Sequence, residues 1–115
     1  MWDDQRGFMQ LLIEKRNFPE HPLDLSVKEN QRFLKSILLD ATGELYEAIG
    51  ELKNSKKHRA TEILELDFDA FIEEIVDAQK FLIEVLILAG VTKGRFLRSY
   101  FEKSKVNVKR IEEGY

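Results

Sequence analysis

The stretch from Phe71 to Val85 constrains the fold more than any other, because apolar and acidic side chains recur in it at helical spacing. On a helical wheel at about 100° per residue, Glu74 lies within about 40° of the apolar side chains of Ala78 and Phe81. Asp77 lies about 60° to the other side. Both carboxylates therefore border the apolar stripe, where they repel each other and resist desolvation unless a cation compensates them. The stretch predicts a helix with a cation-binding edge.

The rest of the chain also shows helical periodicity, and no convincing strand alternation occurs. We predict an all-α bundle of about four helices, forming one domain over residues 1–115. The first helix is predicted at Trp2–Lys15, the second from a capping box at Ser26–Glu29 to about Leu52, the third at about Ala70–Ala89 after a cap at Asp67 or Asp69, and the fourth at about Lys93–Glu113 after a cap at Thr92. Pro19 and Pro22 make 17–25 a loop.

A second acid pair lies on the second predicted helix. Glu44 and Glu47 are three residues apart, and Ile37 and Ala48 lie close to Glu44 on the wheel. If the second and third helices pair antiparallel, the four carboxylates of the two pairs converge. We expect Glu73 and Glu84, in contrast, to point away from the acid stripe and to be solvated or ion-paired.

Composition excludes several kinds of protein. The 115 residues carry a net charge of −3, so no strong basic field exists to bind nucleic acid. No cysteine is present, which leaves oxygen atoms and two histidines as metal ligands. No apolar run approaches about 18 residues, and the N-terminus lacks the pattern of a signal peptide. A soluble cytoplasmic protein without a membrane partner is expected.

A cluster of carboxylates alone suits hard cations such as Mg²⁺ or Mn²⁺. Di-iron bundles need a histidine in an E-x-x-H pair, whereas Glu47 and Asp77 occupy the corresponding positions here. Acid pairs of this spacing are also common on solvated helix surfaces. The alternative is therefore a non-catalytic helical oligomerisation or interaction module whose acids form salt bridges with Lys and Arg.

Three groups of residues match the pattern of a known family. The acid pairs are Glu44-x-x-Glu47 and Glu74-x-x-Asp77, the basic series is Lys103-x-x-x-Asn107-x-x-Arg110 followed by Gly114-Tyr115, and the loop segment is Glu14–Phe18 with His21-Pro22 and Leu25. Together they resemble the all-α nucleotide pyrophosphohydrolase superfamily, which includes MazG-like enzymes, dCTP pyrophosphatases and dimeric dUTPases. The chain departs from that pattern at Phe18, where dCTP pyrophosphatases often have Trp, and at 56–59, where basic residues replace the Trp-rich segment of dimeric dUTPases.

The resemblance implies Mg²⁺-dependent hydrolysis of a nucleoside triphosphate, dUTP or dCTP in particular, to the monophosphate and pyrophosphate, for control of nucleotide pools. The metal ligands implied are Glu44, Glu47, Glu74 and Asp77, and Mn²⁺ is a possible substitute. We assign Glu47 as the catalytic carboxylate that activates water.

The remaining site residues are assigned to the substrate. Lys103, Asn107 and Arg110 share one helix face and would bind the phosphates or the sugar, with Lys57 supplying a further positive charge. Their alternatives are an ordinary basic helix end and a solvated loop. Phe18 and His21 would contact the base, or they are structural residues of the loop.

The third predicted helix is apolar on more than one face, with Ile72, Leu82 and Ile83 among the residues off the acid stripe. A monomer of four helices would not cover that surface. A homodimer or homotetramer is therefore expected.

Overall fold

A computed structural model describes residues 1–52 and 66–114, and these residues form four helices without a strand. The helices are α1 (Trp2–Arg16), α2 (Lys28–Glu51), α3 (Phe68–Leu88) and α4 (Lys93–Glu112). The predicted all-α class is confirmed, and each helix lies within about two residues of its predicted bounds. None of the described helices is both long and apolar enough to cross a membrane.

Side-chain caps fix the beginnings of α3 and α4. The Asp67 carboxylate accepts a hydrogen bond from the backbone N–H of Ala70 at 3.0 Å, and the Thr92 hydroxyl accepts one from Arg95 at 3.2 Å. Each bond satisfies one of the N–H groups that the first helical turn leaves without a partner. The predicted caps of these two helices are therefore confirmed, with Asp67 rather than Asp69 at the start of α3.

The capping box predicted for α2 is wrong. The N-cap is Val27, whose side chain cannot bond the helix, and the Ser26 hydroxyl instead donates to the Asp24 carboxylate at 2.6 Å. The backbone N–H of Ser26 donates to the same Asp24 oxygen at 3.0 Å. The charged Asp24 carboxylate is a strong acceptor for both donors of Ser26, the hydroxyl and the backbone N–H. The two bonds hold Ser26 in a turn, so its hydroxyl does not cap α2. Glu29 pairs with Arg32 at 2.9 Å and does not reach back.

Helices α2 and α3 form the main packed pair, and α1 packs on α3. Two contacts show that the pair is antiparallel. Asp40 on α2 acts electrostatically on Glu84 of α3. Glu44, one turn later on α2, meets Glu74, which lies earlier on α3. The core consists of apolar side chains from α1, α2 and the second half of α3: Trp2, Met9, Ile37, Ile83, Ile87 and Leu88. Met9 and Leu88 are fully buried.

The turn between α3 and α4 is held against the first loop. Gly90 has a φ of +80°, and a Cβ atom built on it would lie 3.1 Å from the Cβ atom of Pro22. The backbone N–H of Leu23 donates to the carbonyl of Leu88 at 2.7 Å. Both the left-handed backbone and the close approach favour glycine at this position.

Among the described residues, the contacts of helix α4 with other helices lie near its beginning. The Phe96 ring lies 5.8 Å from the Trp2 ring, and Lys93 pairs with Asp3 at 3.8 Å. No residue of α4 is buried. We define the apolar face of α4 by the five exposed side chains that share one side of the helix: Leu97, Tyr100, Phe101, Val108 and Ile111.

Candidate metal centre and adjoining cavity

Three carboxylates converge where the middle of α2 faces the first half of α3. Glu44, Glu74 and Asp77 each offer one oxygen atom, and these oxygens all lie within 4.8 Å of one another. Glu74 and Asp77 reach the same place because residues three apart share a helix face, and the antiparallel packing brings Glu44 opposite them. Three oxygens at this separation can contact one hard cation.

Glu74 shows how strongly the acids interact. Hydrogen bonding with the carboxyl groups of Glu47 and then Glu44 raises the pKa of Glu74 to about 8, and lost hydration and the negative charge of both neighbours act in the same direction. Its Oε2 atom is shielded from solvent and has no hydrogen-bond partner among the described residues. A proton relieves the repulsion among these carboxyl groups, and a divalent cation would relieve it more completely.

Glu47 contacts the cluster from outside. It meets the Glu74 carboxyl, yet it is exposed and is not one of the three acids whose oxygens converge. The structure thus brings Glu44, Glu74 and Asp77 to a common point and places Glu47 beside it.

A cavity of about 420 Å³ adjoins the three acids. Its lining combines two acids of the cluster with polar and aromatic side chains from α1 and α3: Gln5, Phe8, Glu44, Asp77, Lys80 and Phe81. Lys80 also pairs with Asp4 at 3.5 Å, and both side chains are substantially exposed. The site therefore has an acidic part, a cation on its wall and an aromatic part.

The expectation that Glu84 is solvated or ion-paired is wrong. Only 4% of its surface is exposed, and burial, followed by the negative charge of Asp40, raises the pKa of Glu84 to about 7. Helical spacing places Glu84 within about 20° of Asp77, which is exposed, so the burial of Glu84 results from its position in the second half of α3, where the core lies. Glu73 is exposed, as expected.

The predicted phosphate-binding residues are not part of this cavity. Lys103, Asn107 and Arg110 are exposed on α4, and no residue of α4 lines the cavity beside the acids. Lys57 lies outside the described residues. The described part of one chain therefore does not unite the basic series with the acidic cluster.

The predicted base-contacting residues also lie elsewhere. The Phe18 ring packs edge-on against Phe33 with centroids 5.3 Å apart, at the margin of the core. His21 lines a separate cavity of about 160 Å³ with Trp2 and Ile87, and its shielded Nδ1 atom has no hydrogen-bond partner among the described residues. Neither residue lines the cavity beside the acids.

Four residues of that cavity were not predicted from the sequence as site residues. Lys80 and Phe81 follow Asp77 by three and four residues, so helical spacing alone places them beside it. Gln5 and Phe8 come from α1, and no sequence signal relates that helix to the acid pairs. Their position results from the packing of α1 on α3.

The fold and the site define an all-helical protein with a carboxylate cluster beside a cavity. Comparisons with known proteins found no matching family model, curated protein or solved structure.

Proposed function

We propose that this protein hydrolyses a nucleoside triphosphate, dUTP or dCTP in particular, to the monophosphate and pyrophosphate in a Mg²⁺-dependent reaction. The observation that carries the proposal is the convergence of Glu44, Glu74 and Asp77 within 4.8 Å beside a cavity of about 420 Å³. Oxygen ligands suit Mg²⁺, and phosphates are the ligands that Mg²⁺ most often shares with proteins. The resemblance of the acid pairs to the nucleotide pyrophosphohydrolases supports the same reaction.

The four acids have two roles in this proposal. Glu44, Glu74 and Asp77 would hold Mg²⁺, and the ion would supply positive charge to neutralise the phosphates and to make water more acidic. Mn²⁺ would serve in its place. Glu47 takes the proton of the attacking water. The water oxygen forms a bond to the α-phosphorus, the bond from that phosphorus to the bridging oxygen breaks, and pyrophosphate leaves.

The acids themselves argue against the alternative of a salt-bridged interaction module. A Lys or Arg partner would lower the pKa of Glu74, whereas its neighbours raise it to about 8. Ion pairs in the described residues engage acids outside the cluster, such as Glu29, Asp3 and Asp4. The cluster therefore holds uncompensated negative charge, as a cation site requires.

We further propose that the protein acts as a homodimer or homotetramer. The apolar face of α4 is exposed, with Tyr100 and Phe101 each 59% exposed. A second copy that covers this face would also bring Asn107, which borders it, to an interface, with Lys103 and Arg110 about 40–60° further round the helix. There they would bind the triphosphate, as the resemblance implies, together with Lys57.

The experiment is a pyrophosphate-release assay across the common dNTPs and NTPs, with and without Mg²⁺. Glu74→Gln should abolish release and weaken Mg²⁺ binding measured by calorimetry, because it removes one ligand charge. Glu73→Gln, on the exposed face of the same helix, should behave like the wild type. Glu47→Gln should retain Mg²⁺ binding and lose roughly 100-fold or more in kcat.

Two results would contradict the proposal. Full activity in Glu74→Gln would show that the acids are not the metal site. Absence of Mg²⁺-dependent release from every nucleotide tested would favour the interaction module.

A further inference from the structure

Gln5 is a buried polar side chain that lacks a partner. It lies on α1 with only 3% of its surface exposed, and its Oε1 atom is shielded without a hydrogen bond to any described residue. Buried polar atoms are nearly always hydrogen-bonded, because leaving one unpaired is destabilising. Because Gln5 also lines the cavity beside the acids, turning its amide toward that cavity would let this acceptor bond a ligand that donates to it.

The cavity beside Gln5 has the size and lining of a ligand site. Its volume of about 420 Å³ falls within the range of about 300–1,000 Å³ that is typical of small-molecule sites. Phe8 lies three residues after Gln5 on the same face of α1, and Phe81 comes from α3. Two aromatic rings and one amide are the groups that bind a flat, hydrogen-bonding ring.

The same cavity includes part of the acidic cluster. Glu44 and Asp77 are lining residues together with Gln5 and the two phenylalanines. A ligand whose phosphates meet the acids through a cation can therefore place a ring against Phe8 or Phe81 without leaving the cavity. By contrast, His21 lines a different cavity with Ile87, ten residues and about 15 Å along α3 from Asp77.

We propose that this cavity is the nucleobase subsite of the protein and that Gln5 Oε1 accepts a hydrogen bond from an N–H group of the base, which stacks on Phe8 or Phe81. The inference rests on the proposed function and deepens it, because it assigns base recognition to α1 and not to the loop that carries Phe18 and His21. Gln5 then determines specificity. A buried amide rejects a ligand that cannot satisfy it more strongly than an apolar wall would.

The test compares ligands with and without a base. The probes are α,β-imido-dUTP, α,β-imido-dCTP and inorganic triphosphate, each titrated calorimetrically into the full chain with Mg²⁺. Gln5→Leu and Phe8→Ala should each weaken binding of the better imido nucleotide by about tenfold or more, since they remove a hydrogen bond or a stacking surface. Binding of inorganic triphosphate, which has no base, should not change.

Matched variants on α1 serve as controls. Leu11 is 49% exposed and Phe8 is 50% exposed, but Leu11 does not line the cavity. Leu11→Ala should therefore bind both kinds of probe like the wild type. Gln10→Leu controls for the loss of an amide, because Gln10 is exposed and donates to Glu14 at 3.4 Å, away from the cavity. If Gln5→Leu proves unfolded in a thermal melt, Phe8→Ala decides the outcome, since its half-exposed side chain is not required by the core.

The outcomes separate this inference from the proposed function. If Phe8→Ala and a folded Gln5→Leu bind the imido nucleotides like the wild type, the base subsite is overturned while the metal-dependent reaction stands. If the two variants weaken the binding of nucleotide and of inorganic triphosphate equally, the cavity does not recognise the base, and the subsite is again overturned. If the wild type binds none of the probes, the proposed function fails and this inference fails with it.

Discussion

At the scale of single residues, Glu84 makes the stability of the fold depend on pH. Burial and the neighbouring charge of Asp40 raise the pKa of Glu84 from 4.5 to about 7 in the folded protein. The folded state then binds the proton more tightly than the unfolded state. Its contribution to stability is fully present below about pH 4.5 and is lost as pH rises to about 7.

Replacing this carboxyl by an amide should remove that dependence on pH. We expect Glu84→Gln to raise the free energy of unfolding at pH 8 by about 1–2 kcal/mol, and to leave it unchanged near pH 4, where the wild-type carboxyl is itself neutral. The figure is below the full value of the pKa shift because the Asp40 side chain is exposed and solvent screens its charge. Urea unfolding at both pH values measures the effect. An equal gain from Glu73→Gln, on the exposed side of α3, would show that the burial of Glu84 is not the cause.

At the scale of elements, a single capping side chain can fix where a helix begins. Asp67 caps α3 through one hydrogen bond to Ala70, and Ser26 makes no such bond to α2. Asp67→Ala should therefore lower the free energy of unfolding by about 1 kcal/mol. Ser26→Ala should cost less, since it loses only an exposed bond to Asp24. Thermal or urea unfolding measures the loss of stability in the two variants. An equal loss in both would show that Ser26 does cap α2.

The same comparison explains how much of the fold can be predicted from the sequence. Asp67 and Thr92 are predictable because a cap depends on residues three apart, within one helical turn. Ser26 fits the same local pattern, but Asp24 competes for it, and the pattern alone does not show which bond prevails. The side of α3 on which Glu84 lies follows from its spacing to Asp77, but its burial does not, because Asp77 is exposed at nearly the same helix angle.

The candidate site contains both residues that the sequence predicts and residues that it does not. The convergence of Glu44 with Glu74 and Asp77 follows from helical spacing and the antiparallel pairing of two adjacent helices. The contribution of Gln5 does not follow, because it depends on the angle and register at which α1 crosses α3. Those are set by interdigitating side chains such as the buried Met9, not by any periodicity in α1 itself.

At the scale of the whole molecule, the chain is more extended than a compact domain. Its Cα radius of gyration is 18.1 Å, whereas about 13 Å is expected for a compact chain of this length. Helix α4 contributes no buried residue. A second copy of the chain is the proposed cover for its apolar face.

A charge on that face should therefore dissociate the assembly. We expect light scattering to give the wild type at least twice the chain mass of 13.5 kDa, and Phe101→Glu to give the mass of one chain, because a buried unpaired carboxylate opposes association. Val106→Glu is the matched control, since Val106 is also exposed but lies on another side of α4. A wild-type protein that runs as a single chain, or equal dissociation by both variants, would contradict the assembly through this face.

The raised pKa of Glu74 has a chemical consequence for the proposed cation site. With a pKa of about 8, this carboxyl carries a proton at neutral pH. A magnesium ion that enters between Glu44, Glu74 and Asp77 must displace that proton, so uptake of the ion and acidification of the solution become one event. The apparent affinity for magnesium then rises with pH until the carboxyl is already ionised, and the heat of binding depends on which buffer accepts the released proton.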